Sequence, residues 1–382
     1  MKPAQILLCT LTLLLCRLPA AGATAVAEPL ALTDDLSVAS LVEAVDQSLV
    51  FLRRQPAERT VRICGTLYTT AWLAESLESF AQLVATTGTG PELDRLVRQR
   101  FDICPATAAD TLLVTGYYEP EVAGSLFPDP PYLHPLYRVP TDLVTTREGT
   151  GRMAGGKLSP YWSREEIETR GLLKGQELLY LADPVAAFIL HVQGSGRVRL
   201  PDGTIRRVHF AAKNGLPYRS IGRLLVDEGK LKLEEVNMPA IRAYLADHPE
   251  ERDRILRYNP SFIFFGWGEE GATPAGSLGR PLTAGRSVAL DPARYPAGAL
   301  GYLVSRKPVV DEAGQLTSWA PMGRFVLHQD SGSAIKGEGR LDLFWGGDRY
   351  AETAAGHMKQ PGTLYFLIKK QQTAQTMAPT NR

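Results

Sequence analysis

Glycine and proline cut most of this chain into short extended runs, and that punctuation argues against a helical bundle. The 382 residues include 35 Gly and 27 Pro. Beyond residue 111 the apolar runs "TLLVTGYYEPEV", "HPLYRVP" and "YNPSFIFFGW" are β-rich and end at Gly, Pro or polar clusters. From Ser287 onward, short strands alternate with Gly and Pro turns up to "TLYFLIKK". "AAFILHVQGSGRVRLPDGTIRRVHFAAKN" reads as strands around turns at Gly194–Gly196 and Pro201–Gly203.

Helical periodicity is confined to particular stretches. Leu41, Val42, Val45, Leu49 and Leu52 recur at helical spacing, as do Leu73, Leu77, Phe80 and Val84, with Gly88 just past the end. Pro91 begins a third short helix reaching Phe101. Ser163 with Glu166 forms a capping box before a helix that Gly171 ends. Ser220 caps a helix from Ile221 to Glu228, and a Pro239-led helix breaks at His248-Pro249. The order predicts a mainly β fold with peripheral helices: a barrel-like core and a second domain inserted in the middle.

The N-terminus has the order of a secretory signal: Lys2, an apolar run from Ile6 to Cys16, then small residues with A-x-A sites at Ala21–Ala23 and Ala25–Ala27. Residues 1–27 are expected to be removed on export, and the polar last residues, 371–382, to form a flexible tail. A lipid-attachment site at Cys16 would need a small residue before it, and Leu15 stands there. Cleavage leaves Cys64 and Cys104, which either pair in an oxidising compartment or remain isolated thiols. The net charge of +1, without a basic run, excludes nucleic acid as a partner.

The chain has no HExxH and no CxxC, so no metal or organic cofactor is expected. Ser333–Lys336 matches S-x-x-K, but it lies between glycines, without the companion KTG and S-D-N elements. Carboxylates remain. Asp330 opens an Asp-Ser-Gly turn, and Asp348 follows Gly346-Gly347, where a turn role is ordinary. Asp342 is different. It sits inside "RLDLFW", flanked by Leu341, Leu343 and Phe344, and Asp is disfavoured in strands. A carboxyl kept from water holds its proton towards neutral pH, as a general acid must.

The segment from Gln329 to Gly362, "QDSGSAIKGEGRLDLFWGGDRYAETAAGHMKQPG", resembles the 3D (three-aspartate) domain of the membrane-bound lytic transglycosylase A (MltA) family. "TGYYEP", "PLYRVP", "FILHVQGSGRV", "NPSFIFF" and "PLTAGRSVALDP" precede it in the family's order, so the resemblance runs over residues 115–368. Ser333 stands where the family commonly has Gly, and the lipobox of its membrane-bound members is not apparent.

The resemblance implies a double-psi β-barrel, here 28–120 with 265–370, and an inserted β-rich domain, 121–264, with a groove between them for a glycan strand. It implies cleavage of the MurNAc-β-1,4-GlcNAc bond of peptidoglycan without water, giving 1,6-anhydroMurNAc. Asp342 matches the position of the family's acid/base. Asp330 and Asp348 would hold loops or bind sugar hydroxyls. Thr115, Tyr117, Tyr118 and Glu119 end a strand and either pack or reach the groove. Gln193 and Ser195 could bond to sugar, with Gly194 allowing close approach. Trp345 and Trp162 are either core residues or sugar-stacking platforms.

The expected partners are peptidoglycan glycan strands and other cell-wall enzymes, in the periplasm or at the outer membrane. Two rivals stay open: a hydrolase, with Glu119 or Asp330 as its second carboxylate, and a non-catalytic glycan-binding module.

Overall fold

A computed structural model of the chain describes residues 30–109, 111–269 and 273–371; the expected signal segment and all but the first residue of the tail lie outside them. Six strands close into a barrel. In order around the ring they are Leu300–Val310, Leu316–Asp330, Ser287–Ala289, Arg340–Phe344, Leu112–Tyr117 and Lys359–Lys369, which pairs back to the first. Two pairs are parallel: Ser287–Ala289 with Leu316–Asp330, and Arg340–Phe344 with Leu112–Tyr117. The other ring pairs are antiparallel. The fold is thus mainly β, a double-psi barrel with peripheral helices and an inserted β-rich segment. The barrel interior is filled by Val114, Val288, Leu303, Leu341, Leu343, Leu364 and their neighbours.

The strands from Glu121 to Trp267 form a separate six-stranded sheet and a three-stranded one. This part carries more helix than its sequence predicts. Pro184–Gln193 is a helix, not a strand. Asp183 caps it by accepting from the Val185 N–H, Pro184 starts it, and Gly194 ends it at φ +83. Its run of apolar residues is buried on more than one face, which hides helical periodicity. Two further differences lie in the barrel. Leu300–Val310 and Leu316–Asp330 are long strands of 11 and 15 residues despite their internal Gly and Pro. Arg349–His357 is a helix where the sequence reads as short strands and turns.

The N-terminal helices fall where expected, at Val38–Leu52, Thr70–Thr87 and Pro91–Arg100. Val42 points outward, while Leu41, Val45, Leu49 and Leu52 face the core. Among the described residues, no helix is long and apolar enough to cross a membrane.

The open question of the cysteines is decided by the hairpin Thr60–Ile63/Thr66–Thr69. Its two turn residues, Cys64 and Gly65, both have positive φ, 53° and 76°, as a type I′ turn requires. That turn points Cys64 at Cys104, and the two form a disulfide with Cα atoms 5.5 Å apart. The bridge closes a loop with a sequence separation of 40. Cys104→Ser should lower unfolding stability by about 2–4 kcal/mol. Urea titration of the oxidised protein and the variant would read this; an unchanged midpoint would contradict it.

Candidate active site

Strand alternation sets the site. In Arg340–Phe344 the side chains of Leu341 and Leu343 are fully buried in the barrel, so Arg340 and Asp342 share the opposite face. That face opens on a cavity of about 290 Å³. Thr115, Gly116, Tyr117, Arg340, Asp342 and the Gly332–Ile335 turn line it from the barrel side. His191 to Gln193, Tyr218, Ser220, Met238, Asn259, Ser261 and Ile263 line it from the inserted side. Asp342 is the one carboxylate among these lining residues.

The parallel pairing of Arg340–Phe344 with Leu112–Tyr117 puts Thr115 opposite Asp342. The Thr115 hydroxyl donates to Asp342 Oδ1 at 2.8 Å. On the other side, Ala289 is registered with both Asp342 and Asp330, so the two aspartates sit on strands flanking one short strand. Burial pushes the Asp342 carboxyl up to about 6, and the Asp330 charge adds to the rise. The Thr115 bond and the Arg340 charge pull the other way. Leu341 and Leu343, the apolar neighbours in the sequence, face away into the barrel. Thr115→Val removes a bond that favours the carboxylate, so it should move the alkaline limb of a pH–rate profile to higher pH. A limb unmoved or shifted to lower pH would contradict this geometry.

The other candidates take distinct places. Asp330 accepts from the Tyr117 hydroxyl and from the N–H groups of Ser277 and Ser331, each at 2.8 Å. It pins the strand end and the loop at Ser277, and burial raises its pKa. Tyr117 lines the cavity with its ring against Phe344 and its hydroxyl on Asp330. Gln193 Oε1 accepts from the Tyr118 N–H at 3.1 Å, which joins the end of the inserted helix to the barrel strand and leaves the Gln193 amide NH₂ for the cavity.

Besides Asp330 and Glu119, five candidates fall outside the cavity lining. Tyr118 is buried, with its hydroxyl on Glu352. Asp348 is the N-cap of Arg349–His357, accepting from the Ala351 N–H at 2.7 Å. Gly194 is a helix C-cap, and Ser195 begins a strand paired with His209. Trp345 lies in the barrel core, only 6% exposed. A Cβ on Gly116 would lie 2.7 Å from the indole, so that position must stay Gly for the ring to pack there. Trp345 therefore has no face for a sugar, and Trp162 stacks instead under Arg152 and Arg170.

Glu119 is buried and held by Arg207 through two bonds of 2.6 and 2.9 Å, which occupies the carboxylate a hydrolase would need free. Ser333 and Lys336 lie in an irregular loop and not at a helix start, so the S-x-x-K pair lacks the setting that activates such a serine.

Arg340, Tyr218, Asn259 and His191 also line the cavity, and none of them stands out in the sequence as a site residue. Period-two spacing from Asp342 was the signal for Arg340. Asn259 is buried and accepts from the N–H groups of Arg219 and Ser261, shaping the inserted wall. His191 Nδ1 accepts from the Ile263 N–H at 3.0 Å. Burial and the nearby Arg164 hold its pKa well below the usual histidine range, so it is a neutral wall and no proton donor.

The family comparisons fit this geometry. Residues 113–266 match the MltA specific insert domain, and residues 286–368 match the 3D domain. The membrane-bound lytic murein transglycosylase of Agrobacterium tumefaciens superposes with a TM-score of 0.71 at 30% identity, covering 87% of this chain and 93% of that one. The chain belongs to the MltA family. Escherichia coli MltA with bound chitohexaose has the same fold, with a TM-score of 0.70, 26% identity and coverage of 91% and 94%. Among curated MltA relatives, membrane-bound lytic murein transglycosylase A of Escherichia coli K12 is 32% identical over 255 residues, and that of Vibrio cholerae 33% over 261. These alignments cover 66% and 67% of this chain, and just under two thirds, 64% and 65%, of those MltA proteins.

Proposed function

We propose that this protein is a lytic transglycosylase that cuts the MurNAc-β-1,4-GlcNAc bond of peptidoglycan and closes the muramic residue into its 1,6-anhydro form. The observation that carries the reading is that Asp342 is the one carboxyl among the described residues lining the cavity, with its pKa raised by burial to about 6. A glycosidase that uses water needs two carboxylates, one as acid and one to activate water or attack the sugar. Intramolecular attack needs one, because the C6 hydroxyl is already tethered at high effective concentration.

Asp342 gives its proton to the departing O4 of GlcNAc as the C1–O4 bond breaks. The muramic O6 attacks C1, and its proton passes to Asp342, which regenerates the acid. Thr115 orients the carboxyl, and its bond steadies the carboxylate formed between the two transfers. The barrel wall, in 28–120 and 265–370, supplies the acid. The inserted wall, in 121–264, supplies Gln193, Tyr218 and Asn259 to hold the strand.

A sugar strand as ligand agrees with the chitohexaose bound to the Escherichia coli relative. An envelope location agrees with the membrane-bound relatives, with the signal-like N-terminus, and with a disulfide that needs an oxidising compartment. Mass analysis of fragments released from purified cell wall tests the reading. Fragments one water lighter than reducing-end sugars are expected; reducing ends would mean hydrolysis, and no release would mean a binding module.

A further inference from the structure

Arg340 is only partly buried, yet it differs from the buried Arg164, Arg286 and Arg324 and from the partly buried Arg207. Arg164, Arg207, Arg286 and Arg324 each face a carboxylate, from Glu168, Glu119, Asp34 and Asp35. Arg340 has no such partner among the described residues. Its one hydrogen bond is a long contact of 3.5 Å to Thr115 Oγ1, and its Nε is buried without any partner. It lies on the cavity face of its strand, two residues from Asp342. Asp342, the only other charged group among the described lining residues, is neutral in the acid form that starts the reaction, so the guanidinium then faces no anion among them.

We propose that Arg340 is a substrate-binding residue that pairs with a carboxylate carried by the glycan strand beside the bond to be cut. This deepens the proposed function and rests on it for the identity of the strand. A muramic residue offers that chemistry in two forms: the free lactyl carboxylate of a peptide-free strand, or a carboxylate of the attached stem peptide. Pairing also has a consequence for the chemistry. The transition state carries positive charge at C1, which a bare guanidinium opposes and a neutralised one does not. A strand without carboxylates leaves that opposition in place.

The test is binding in an Asp342→Asn background, with and without Arg340→Gln, to three strands: peptide-bearing glycan, peptide-free glycan and neutral chitohexaose. Arg340→Gln should cut the affinity ratio of one charged strand over chitohexaose by about 10–100-fold, as expected for a charge-assisted pair. Whichever charged strand loses more identifies the carboxylate, and Arg340→Lys should restore part of the ratio. Equal loss on all three strands, or no loss on either charged strand, would overturn the proposal. Failure of the wild-type protein to cut either charged strand would count against the proposed reaction instead, and would leave the binding ratio to decide Arg340.

Discussion

Asp342→Asn should lower turnover of peptidoglycan by about 10²–10⁴-fold, the usual contribution of a general acid. The amide keeps the shape of the carboxyl and can still accept from Thr115, but it has no proton to give. The same substitution should leave the protein folded and make it more stable above neutral pH. The sign follows from the direction of the shift. Burial raises the Asp342 carboxyl from 3.8 to about 6, so the folded state holds this proton more tightly than the unfolded chain does. Wild-type stability therefore falls as pH rises from 3.8 towards 6 and stays reduced above it. The carboxylate costs about 3 kcal/mol there by this shift. Asp342→Asn does not carry this cost, so its advantage should be present at pH 8 and vanish below about pH 4. In the wild-type pH–rate profile, activity should fall as pH rises through about 6. Near-normal digestion by Asp342→Asn, or equal stabilities at pH 8, would remove the assignment.

Asp34→Ala should destabilise the fold by about 3–5 kcal/mol, because it strands a buried cation. Arg286 and Asp34 are paired through bonds of 2.6 and 2.8 Å, and neither side chain has any exposed surface. Arg286 spends its remaining donors on Phe325 O, Ser37 O and Ser40 Oγ. Asp34 also accepts from the Phe325 N–H. One residue on, Asp35 takes Arg324 through bonds of 2.8 and 2.7 Å. The segment before the first helix thus straps the barrel at the strand that ends in Asp330. Thermal or urea unfolding would show the loss. Replacing Asp34 and Arg286 together by apolar residues should recover much of it, since the cost lies in the unpaired charge. A stability for Asp34→Ala within about 0.5 kcal/mol of wild type, the range of ordinary surface changes, would mean that the pair is not buried as described.

What could be read from the sequence follows physical lines. Asp342 stood out because a carboxylate inside an apolar strand has no local reason to be there. The N-terminal helices and the Ser163–Glu166 capping box are encoded within a few residues, and both were visible. The helix Pro184–Gln193 was not, because burial on several faces erases its periodicity; the Asp183-Pro184 start and the Gly194 stop were the better signals. Asp348 reads as a turn residue because an N-cap and an Asp turn use the same side-chain bond to the backbone. Trp345 and Glu119 lie just past the strands Arg340–Phe344 and Leu112–Tyr117, and whether such residues are buried depends on sheet closure, a long-range property. The same holds for Asp34 and Arg286, which lie 252 positions apart.

Whether a sugar hydroxyl or water completes the cut is settled by digestion in oxygen-18-labelled water with mass analysis of the new sugar ends. Intramolecular attack should give unlabelled 1,6-anhydro ends from the wild-type protein and almost no product from Asp342→Asn. Oxygen-18 at the anomeric carbon of newly formed ends would contradict it, because the nucleophile would then have been solvent.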